Sequence, residues 1–392
     1  MILIVFTYSI FLSGCWNRQE IDSLAIVTAV GIDKDPEGYN VTTQILNPGE
    51  IASQKTLNTT TVTTYSTSGK TVFEAFRRLT VESPRKMYFS HIRIVALGEE
   101  LAKDDIGKVL DFLLRQHEFR SDYYIIITKD VSARQVLSLL TPIERIPANK
   151  IYSSLKISEK LWAPTRSVQL DELISVIMSG GKNAVLTGTS IKGNINGGTD
   201  LNSLASTERE AIIKFDSLAA FKDTRLVGWL NEDESKGYNY ITDNVKSTVG
   251  YVELADGGTV TVELKKSKSK MTAINQNGAL SINVDVEMEG EIGEIEGDID
   301  ISKQENIRRI EQLWGEKNEY LCYLAIKKAQ QTFKSDIFGF GNVVHRTYPD
   351  LWKKIKNRWG KEFENLPVTV HSTLKVKSFG TTTSSFLKNK SE

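Results

Sequence analysis

The sequence predicts a protein of mixed α/β and α+β class, with three domains built on mixed and antiparallel sheets flanked by helices. Three patterns predict this fold class. Helical and strand-like periodicities alternate between residues 24 and 178, short strands separated by turn signals fill 211–264, and an alternating strand at 280–288 precedes a long helical repeat. Alternation of the two periods is typical of sheets covered by helices, whereas closely spaced short strands are typical of antiparallel sheets.

The N-terminal α/β domain is expected to span residues 15–200. Its first strands, 24–32 and 41–46, flank the turn signal Asp35-Pro36-Glu37-Gly38, which predicts a hairpin. The elements predicted after this hairpin are a helix at 69–81, a strand at 92–97, a helix at 105–116, a strand at 123–128, helices at 133–140 and 168–178, and a glycine- and asparagine-rich loop at 188–199. Apolar residues recur at three and four positions in each helix, so each can pack one face on a sheet.

Two smaller domains are expected to follow. A small antiparallel-rich middle domain is predicted for residues 201–278, from strands at 211–215, 218–221, 226–230, 247–254 and 259–264. A C-terminal α+β domain is predicted for 279–380, from a strand at 280–288, a helix of about thirty residues, a shorter helix at 348–363 and a strand at 368–376, before a polar tail at 381–392. The strict alternation at 280–288 predicts a sheet with one face in solvent.

Composition excludes some classes of partner. Lys and Arg together number 49, as do Asp and Glu, so the formal net charge of the 392-residue chain is zero. Overall charge therefore provides no general attraction to nucleic acid or to acidic substrates, and an electrostatic partner would need a local patch.

The N-terminus resembles an export signal. About twelve apolar residues precede Leu12-Ser13-Gly14-Cys15, a length typical of a signal-peptide core and too short for a membrane-spanning helix. An apolar residue and two small residues before a cysteine form a pattern similar to a bacterial lipobox, so residues 1–14 are predicted to be a lipoprotein signal peptide and Cys15 the acylated residue. No Lys or Arg precedes Cys15, which fits either a start upstream of Met1 or an atypical signal.

Cys322 is the other cysteine of the chain. It lies within the helical pattern Ile307, Ile310, Trp314, Leu321 and Leu324, which predicts a buried, unreactive thiol. With Cys15 acylated, no intramolecular disulfide is possible, and packing must hold the fold together.

No catalytic motif is evident. His91, His117, His345 and His371 have no metal-ligand spacing, and the chain contains no GxSxG elbow, Walker A loop or paired-cysteine knuckle. Gly339 and Gly341 form a GxG without the third glycine of a dinucleotide site, and the stretch is interpreted as a loop.

Two charged segments allow alternative interpretations. The acidic run 287–300 is interpreted as the solvated face of a strand near Lys265, Lys266, Lys268 and Lys270, with calcium binding as the alternative. In 348–363, Trp352, Ile355 and Trp359 share one helical face, and basic residues lie mostly off it. Packing of this face on the core is favoured over contact with an anionic membrane.

Taken in order, several short stretches resemble the Ger(x)C family, the lipoprotein C subunits of bacterial spore germinant receptors. The matching stretches are Gly14-Cys15-Trp16-Asn17 with Glu20-Ile21, Gly31-Ile32-Asp33, Ser90-His91-Ile92-Arg93, Phe112-Leu113-Leu114-Arg115 with Glu118 and Arg120, 219–230, and 336–352 with Trp359. The resemblance implies a three-domain protein that carries diacylglycerol and an N-acyl group on Cys15, is anchored on the outer face of the spore inner membrane, and assembles with an A subunit and a transporter-like B subunit. It implies no catalytic residue, metal or cofactor beyond this covalent lipid, and no direct nutrient binding.

Two other function classes stay open from the residues alone. A solute-binding lipoprotein would hold a small nutrient in an interdomain cleft, for which the six Trp and thirteen Tyr are available. A hydrolase would need paired carboxylates in a cleft, and sequence alone brings no two acids together.

Overall fold

The computed structural model describes residues 23–47, 59–255, 257–297 and 299–378. The predicted signal segment, Cys15 and the polar tail lie outside the described residues. The described chain folds into a large mixed sheet, built from residues 24–230, and a second sheet, built from 248–378, with helices packed on both. The predicted fold class is confirmed.

The first sheet combines parallel and antiparallel strands. Its elements and those around it, in chain order, are β1 (Leu24–Asp35), β2 (Gly38–Leu46), β3 (Val62–Gly69), α1 (Val72–Glu82), β4 (Lys86–Tyr88), β5 (Ile94–Gly98), α2 (Glu99–Asp104), α3 (Gly107–Arg115), β6 (Tyr124–Thr128), α4 (Ala133–Ser138), α5 (Pro147–Leu161), α6 (Leu170–Met178), β7 (Val185–Gly193), α7 (Ile195–Gly198), a 3₁₀ turn (Leu201–Ala205), β8 (Ala211–Lys222) and β9 (Arg225–Leu230). The strand order is β3-β2-β1-β5-β6-β7-β8-β9, and β4 pairs with the beginning of β1.

Parallel strands form the centre of this sheet. Strands β1, β5, β6 and β7 run parallel, whereas β2 and β3 on one side and β8 and β9 on the other are antiparallel to their neighbours. Every residue of β5 and β6 is buried. This burial follows from cover on both faces, with α1, α3 and α6 packing on one face and α4 and α5 on the other.

Asp33 at the end of β1 fixes the start of α4. Its carboxylate accepts hydrogen bonds from the backbone N–H groups of Ala133 at 2.8 Å and Arg134 at 3.1 Å. Ser132 adds a capping box with Gln135. Two independent caps therefore satisfy the first N–H groups of a helix of only six residues.

The second sheet has one buried and one exposed face. Its elements and those around it are α8 (Glu232–Ile241), β10 (Thr248–Glu253), β11 (Thr259–Gln276), β12 (Ala279–Glu296), α9 (Gln304–Lys327) with a π-helical end (Lys328–Phe333), α10 (Phe340–Thr347), α11 (Pro349–Ile355), a 3₁₀ turn (Lys356–Arg358), α12 (Trp359–Glu364) and β13 (Val368–Ser378). The order is β10-β11-β12-β13, with β13 parallel to β12. Alternate residues of β12 are buried, including Ile282, Val284 and Val286, as the alternation predicts.

The two sheets share one core. Val185, Leu218 and Leu230 of the first sheet belong to the same buried apolar cluster as the inner face of the second sheet and α9. The strands between residues 201 and 278 are divided, because β8 and β9 continue the first sheet and β10 and β11 begin the second. These residues form no separate sheet, and the domain boundaries drawn from the sequence stay a prediction.

Several elements differ from the sequence expectation. Residues 188–193, predicted as loop, belong to β7. Gly188 is in this strand because it pairs with Ile127 of β6 and Ser217 of β8. The residue is glycine because an added Cβ would lie 2.5 Å from the ring of Trp229 and 2.6 Å from Ser217 Oγ. The helix predicted at 348–363 is interrupted by a 3₁₀ turn, and the strand predicted at 280–288 extends to Glu296 because it pairs with β11 along its whole length. The elements that the sequence expectation omitted are β3, β4, α2, α5, α7, α8 and α10.

A buried carboxylate lies where the two halves meet. Asp336 is 2% exposed and accepts five N–H groups. Oδ1 accepts those of Phe338, Gly339 and Phe340 at 3.1, 2.9 and 3.2 Å, and Oδ2 accepts the backbone N–H of Gly341 at 2.8 Å and Nε1–H of Trp359 at 3.0 Å. Burial raises the pKa of the Asp336 carboxyl, and these donors act in the opposite direction.

The same segment contacts the first sheet. The Asp336 carbonyl accepts the N–H of Asn183 at 2.7 Å, and Ser335 Oγ donates to the carbonyl of Phe221 at 2.7 Å. Residues 335–341 therefore connect β8 and the start of β7 to the helices of the second half.

We expect Asp336→Asn to destabilise the protein by about 2–3 kcal/mol, because the new amide nitrogen would face two N–H donors in place of an acceptor. Asp336→Ala, which removes every acceptor, should cost about 3–5 kcal/mol. The measurement is urea unfolding of the full chain followed by circular dichroism.

The matched control is Asp350→Asn, at an exposed carboxylate that binds Lys353 at 2.9 Å. We expect it to change the free energy of unfolding by less than about 0.5 kcal/mol. Equal effects of the two Asp→Asn changes would contradict the structural role assigned to Asp336.

Candidate interaction surface

The predicted lipidation site is close in sequence to the first sheet. Cys15 lies outside the described residues, and the described chain begins at Ser23, directly before β1. Leu24 pairs with Lys86 of β4, so the chain enters the fold at the edge of the sheet where the parallel strands begin. In the described part of the chain, no helix has the length and apolar character needed to cross a membrane.

The histidines are dispersed over the surface. His91, His117, His345 and His371 are all exposed, and His345 stacks on Trp352 with 5.7 Å between ring centres. Among residues 23–47, 59–255, 257–297 and 299–378, no three His, Cys, Asp or Glu side chains form a group that could hold a metal ion.

The GxG stretch uses its N–H groups internally. Gly339 adopts φ +88° at the N-cap of α10, and the backbone N–H groups of Gly339 and Gly341 point to Asp336. A phosphate bound there would have to displace a buried carboxylate. Phe340 and Gly341 lie in the first turn of α10, so the interpretation of the stretch as a loop is wrong for these two residues. Their N–H groups already bind Asp336.

Cys322 is fully buried on the inner side of α9. Its sulfur lies 3.9 Å from the Gly237 carbonyl and 3.8 Å from Asn318 Oδ1. Burial raises the pKa of this thiol well above its usual range. The thiol is therefore protonated and unreactive, and the prediction from the helical pattern is confirmed.

The acidic run lies on β12 opposite lysines of β11. The register pairs Lys266 with Glu289, Lys268 with Glu287 and Lys270 with Asp285. Lys265 Nζ lies 2.7 Å from Glu263 and 3.7 Å from Glu291. This confirms the interpretation as a solvated strand face with lysine neighbours, since opposite charges across strands stabilise the pair.

The aromatic face of 348–363 packs inward. Trp352, Ile355 and Trp359 are each 5% exposed, and Trp352 contacts Trp359 with 5.3 Å between ring centres. Burial of these rings confirms the core-facing interpretation and leaves no apolar face of this segment for a membrane.

The strongest candidate for an interaction site lies between the two halves. We call it the junction surface and define it by Trp162, Lys236, Tyr251, Lys317 and Tyr320, which border a hollow of about 330 Å³. Trp162 follows α5, Lys236 lies on α8, Tyr251 on β10, and Lys317 and Tyr320 on α9. Exposure is 44% for Trp162, 49% for Tyr251 and 60% for Tyr320.

Cations hold two of these rings in place. Lys236 Nζ lies 3.7 Å from the centre of the Trp162 ring and 3.0 Å from Glu232, which accepts Nε1–H of Trp162 at 2.8 Å. Lys317 Nζ lies 4.0 Å from the Tyr251 ring centre and donates to the Tyr251 carbonyl at 2.6 Å. Burial lowers the pKa of Lys317.

Exposed aromatic side chains held in fixed positions suit a protein contact. Trp and Tyr dominate the energetics of many interfaces, and a ring already held by a cation loses little freedom on binding. Sequence reasoning missed this surface because its aromatics are far apart in the chain. One signal was available: Tyr320 falls outside the apolar stripe of Ile310 and Trp314, so it had to face outward.

Comparison with known proteins gives matches over both halves of the chain. Residues 17–191 match the family described as "Spore germination protein N-terminal domain", and residues 216–380 match the family described as "Spore germination B3/ GerAC like, C-terminal". Spore germination protein KC of Bacillus subtilis (strain 168) is 29% identical over 382 residues, which cover 95% of this chain and 93% of that protein. Spore germination protein B3 of the same organism is 25% identical over 382 residues, which cover 96% of this chain and 97% of that protein.

A solved structure has the same fold. The crystal structure of the GerBC protein aligns with a TM-score of 0.55 at 19% identity, covering 88% of this chain and 96% of that one. The two family matches, over residues 17–191 and 216–380, identify the family. The chain belongs to the Ger(x)C family of spore germination proteins.

Proposed function

We propose that this protein is the lipid-anchored, non-catalytic C subunit of a nutrient germinant receptor, required for nutrient-triggered spore germination and assembled with A and B membrane subunits. The observation that carries the proposal is the family match over both halves of the chain, residues 17–191 and 216–380. The site of action is the outer face of the spore inner membrane.

The anchor in this proposal is Cys15, acylated with diacylglycerol and an N-acyl group. Two or three acyl chains, at about 0.8 kcal/mol per buried methylene, hold a protein on a bilayer far more firmly than one myristoyl chain. Confinement to the membrane raises the effective concentration of the folded domains near the A and B subunits, so modest interfaces suffice for assembly.

A role in assembly, without catalysis, agrees with how the polar groups of the described chain are used. The most deeply buried carboxylate, Asp336, is occupied by five N–H donors, and the buried thiol of Cys322 is protonated. A nucleophile or general base needs a group that is accessible to substrate, and neither of these is.

In this proposal the junction surface contacts another receptor subunit. Its exposed Trp162, Tyr251 and Tyr320 supply rigid apolar area, and Lys236 and Lys317 supply charge at the rim. The surface draws on both halves of the chain, so a partner bound there would detect their relative position.

The alternative function is a solute-binding lipoprotein that holds a small nutrient in an interdomain cleft. The observation that favours it is the hollow of about 330 Å³ at the junction, which lies at the low end of the size range of small-molecule sites. Direct nutrient binding is not expected under the first proposal, so calorimetry of the full chain with single amino acids and sugars separates the two.

We expect Cys15→Ala to abolish labelling with palmitate, to weaken membrane attachment and to slow nutrient-triggered germination at equal protein abundance. The measurements are fractionation of spores, labelling with an alkyne-bearing palmitate, and the fall in optical density after nutrient addition. Cys322→Ala is the matched control and should keep both the label and the germination rate. Normal germination of Cys15→Ala spores would show that the tether is dispensable and would overturn the proposed mechanism.

We expect Tyr251→Ala with Tyr320→Ala to reduce by about tenfold or more the A and B subunits that co-elute with the tagged chain from detergent-solubilised inner membranes, since exposed aromatic anchors each contribute on the order of 1–2 kcal/mol. Ile212→Ala, at an apolar side chain of similar exposure outside the junction surface, should leave co-elution unchanged. Unchanged co-elution of the double variant, with loss of a saturable heat from one nutrient, would favour the solute-binding alternative.

A further inference from the structure

A second surface, at the edge where the described chain begins, has an aromatic interior and a basic rim. We call it the phenylalanine hollow and define it by Phe73, Phe76, Phe89, Phe112 and Phe119, which border a space of about 330 Å³. The rings contact one another: 5.4 Å separates the centres of Phe76 and Phe112, and 4.8 Å those of Phe89 and Phe119. Phe73 is 47% exposed, so part of this aromatic cluster faces solvent.

The rim of the hollow is mostly cationic. Arg77, Lys86 and Arg115 border it together with His117, and Glu118 is the acidic residue among those that line it. The Arg77 guanidinium lies 5.0 Å from the Phe73 ring centre, and Arg115 Nε donates to Asp111 at 2.9 Å. Phe73, Arg77 and Val81 recur every four residues on α1, and Val81 is 87% exposed, so the apolar and basic character continues along one face of that helix.

The position of the hollow links it to the membrane anchor. Leu24 pairs with Lys86 and Ala25 with Met87, and both partners line the hollow. Neighbouring strands lie about 4.8 Å apart, so the first described residues of β1 run along its rim. Ser23 lies eight positions after Cys15. A chain spans at most about 3.6 Å per residue, so an acylated Cys15 would keep Ser23 within about 29 Å of the bilayer surface.

We infer that the phenylalanine hollow rests on the bilayer and binds anionic phospholipid, with Arg77, Lys86 and Arg115 on the headgroups and the Phe73 ring at the acyl boundary. This inference deepens the proposed function and rests on anchoring at Cys15 for the position of the hollow. Aromatic rings favour the membrane interface, and Lys and Arg side chains near an anionic surface are attracted to it. The occupant is thus a lipid surface, because the basic rim complements anionic headgroups.

The test uses the full chain with Cys15→Ser, so that no attached lipid contributes to binding. Its partition onto phosphatidylcholine vesicles is compared with and without phosphatidylglycerol, and any contribution from the apolar N-terminal residues is common to all variants. We expect phosphatidylglycerol to increase binding. Arg77→Glu with Arg115→Glu should lower the partition coefficient on phosphatidylglycerol vesicles by about tenfold or more.

Lys353→Glu with Lys356→Glu is the matched control, since it makes the same change in net charge on the helical segment of the second half. We expect a decrease of about twofold or less from this pair. Equal decreases for the two pairs would show a response to overall charge and would overturn the inference, as would binding that ignores phosphatidylglycerol. A larger decrease for the Lys353 pair would assign the membrane face to that segment.

Orientation is tested by spin labels in the Cys15→Ser chain. Val81→Cys places a label beside the hollow, and Gln276→Cys places one at the exposed end of β11 in the second sheet. Cys322 is buried and should not react. On phosphatidylglycerol vesicles, the Val81 label should gain exposure to oxygen and lose exposure to a water-soluble nickel complex, while the Gln276 label should not change.

Protection of the Gln276 label without protection of the Val81 label would overturn the inference. The whole test is independent of acylation: a failure of Cys15 to carry lipid would defeat the proposed anchor and leave these vesicle results unaffected.

Discussion

The buried carboxylate of Asp336 is the constraint on which the arrangement of the two halves depends. Removing a carboxylate from water is costly, and the cost is offset here only because four backbone N–H groups and one indole converge on it. Those donors come from the turn that starts α10 and from Trp359. The carbonyl of the same residue accepts Asn183 before β7, so one residue sets the turn, seats a core tryptophan and connects to the first sheet.

This connection explains why the sheets share a core. With residues 335–341 held against β8, the end of α9 must pass over the first sheet, and Phe333 packs on Gly228, where an added Cβ would lie 2.6 Å from its ring. Val185, Leu218 and Leu230 then join the apolar cluster of the second half. The junction surface is a consequence of this contact, because Trp162 from the first half meets Tyr251 and Lys317 from the second only when the halves are packed together.

Local sequence was sufficient to predict those helices and strands in which the spacing of apolar residues matches the face that is buried. The strand at 123–128, the alternation at 280–288 and the helix carrying Cys322 all follow from patterns of apolar residues, and cross-strand pairing of the lysines with the acidic run follows from charge. Contacts between residues far apart in the chain could not be predicted from such local patterns. Position 188 of a strand is occupied by glycine because the Trp229 ring crosses it, and donors up to 23 residues away converge on Asp336. The junction surface assembles side chains from four elements. None of these contacts leaves a periodic signal in the sequence. From the sequence alone, Gly188 was therefore predicted to lie in a loop, the turn around Asp336 was visible only as a GxG stretch, and the junction surface only as separate aromatic residues.

A tether and a second membrane contact have different physical effects. Acylation of Cys15 would confine the protein to a layer near the bilayer but would leave it free to rotate about a flexible attachment, so only a fraction of encounters would present the junction surface to a partner. A phenylalanine hollow resting on anionic lipid would remove most of that rotation before assembly begins. The shared core would then carry this orientation from the first half to the second. In this arrangement the protein loses its rotational freedom when it binds the membrane, before it meets the other subunits. Because the subunit interface then does not have to offset that loss of entropy, small aromatic contacts would be sufficient for a stable receptor.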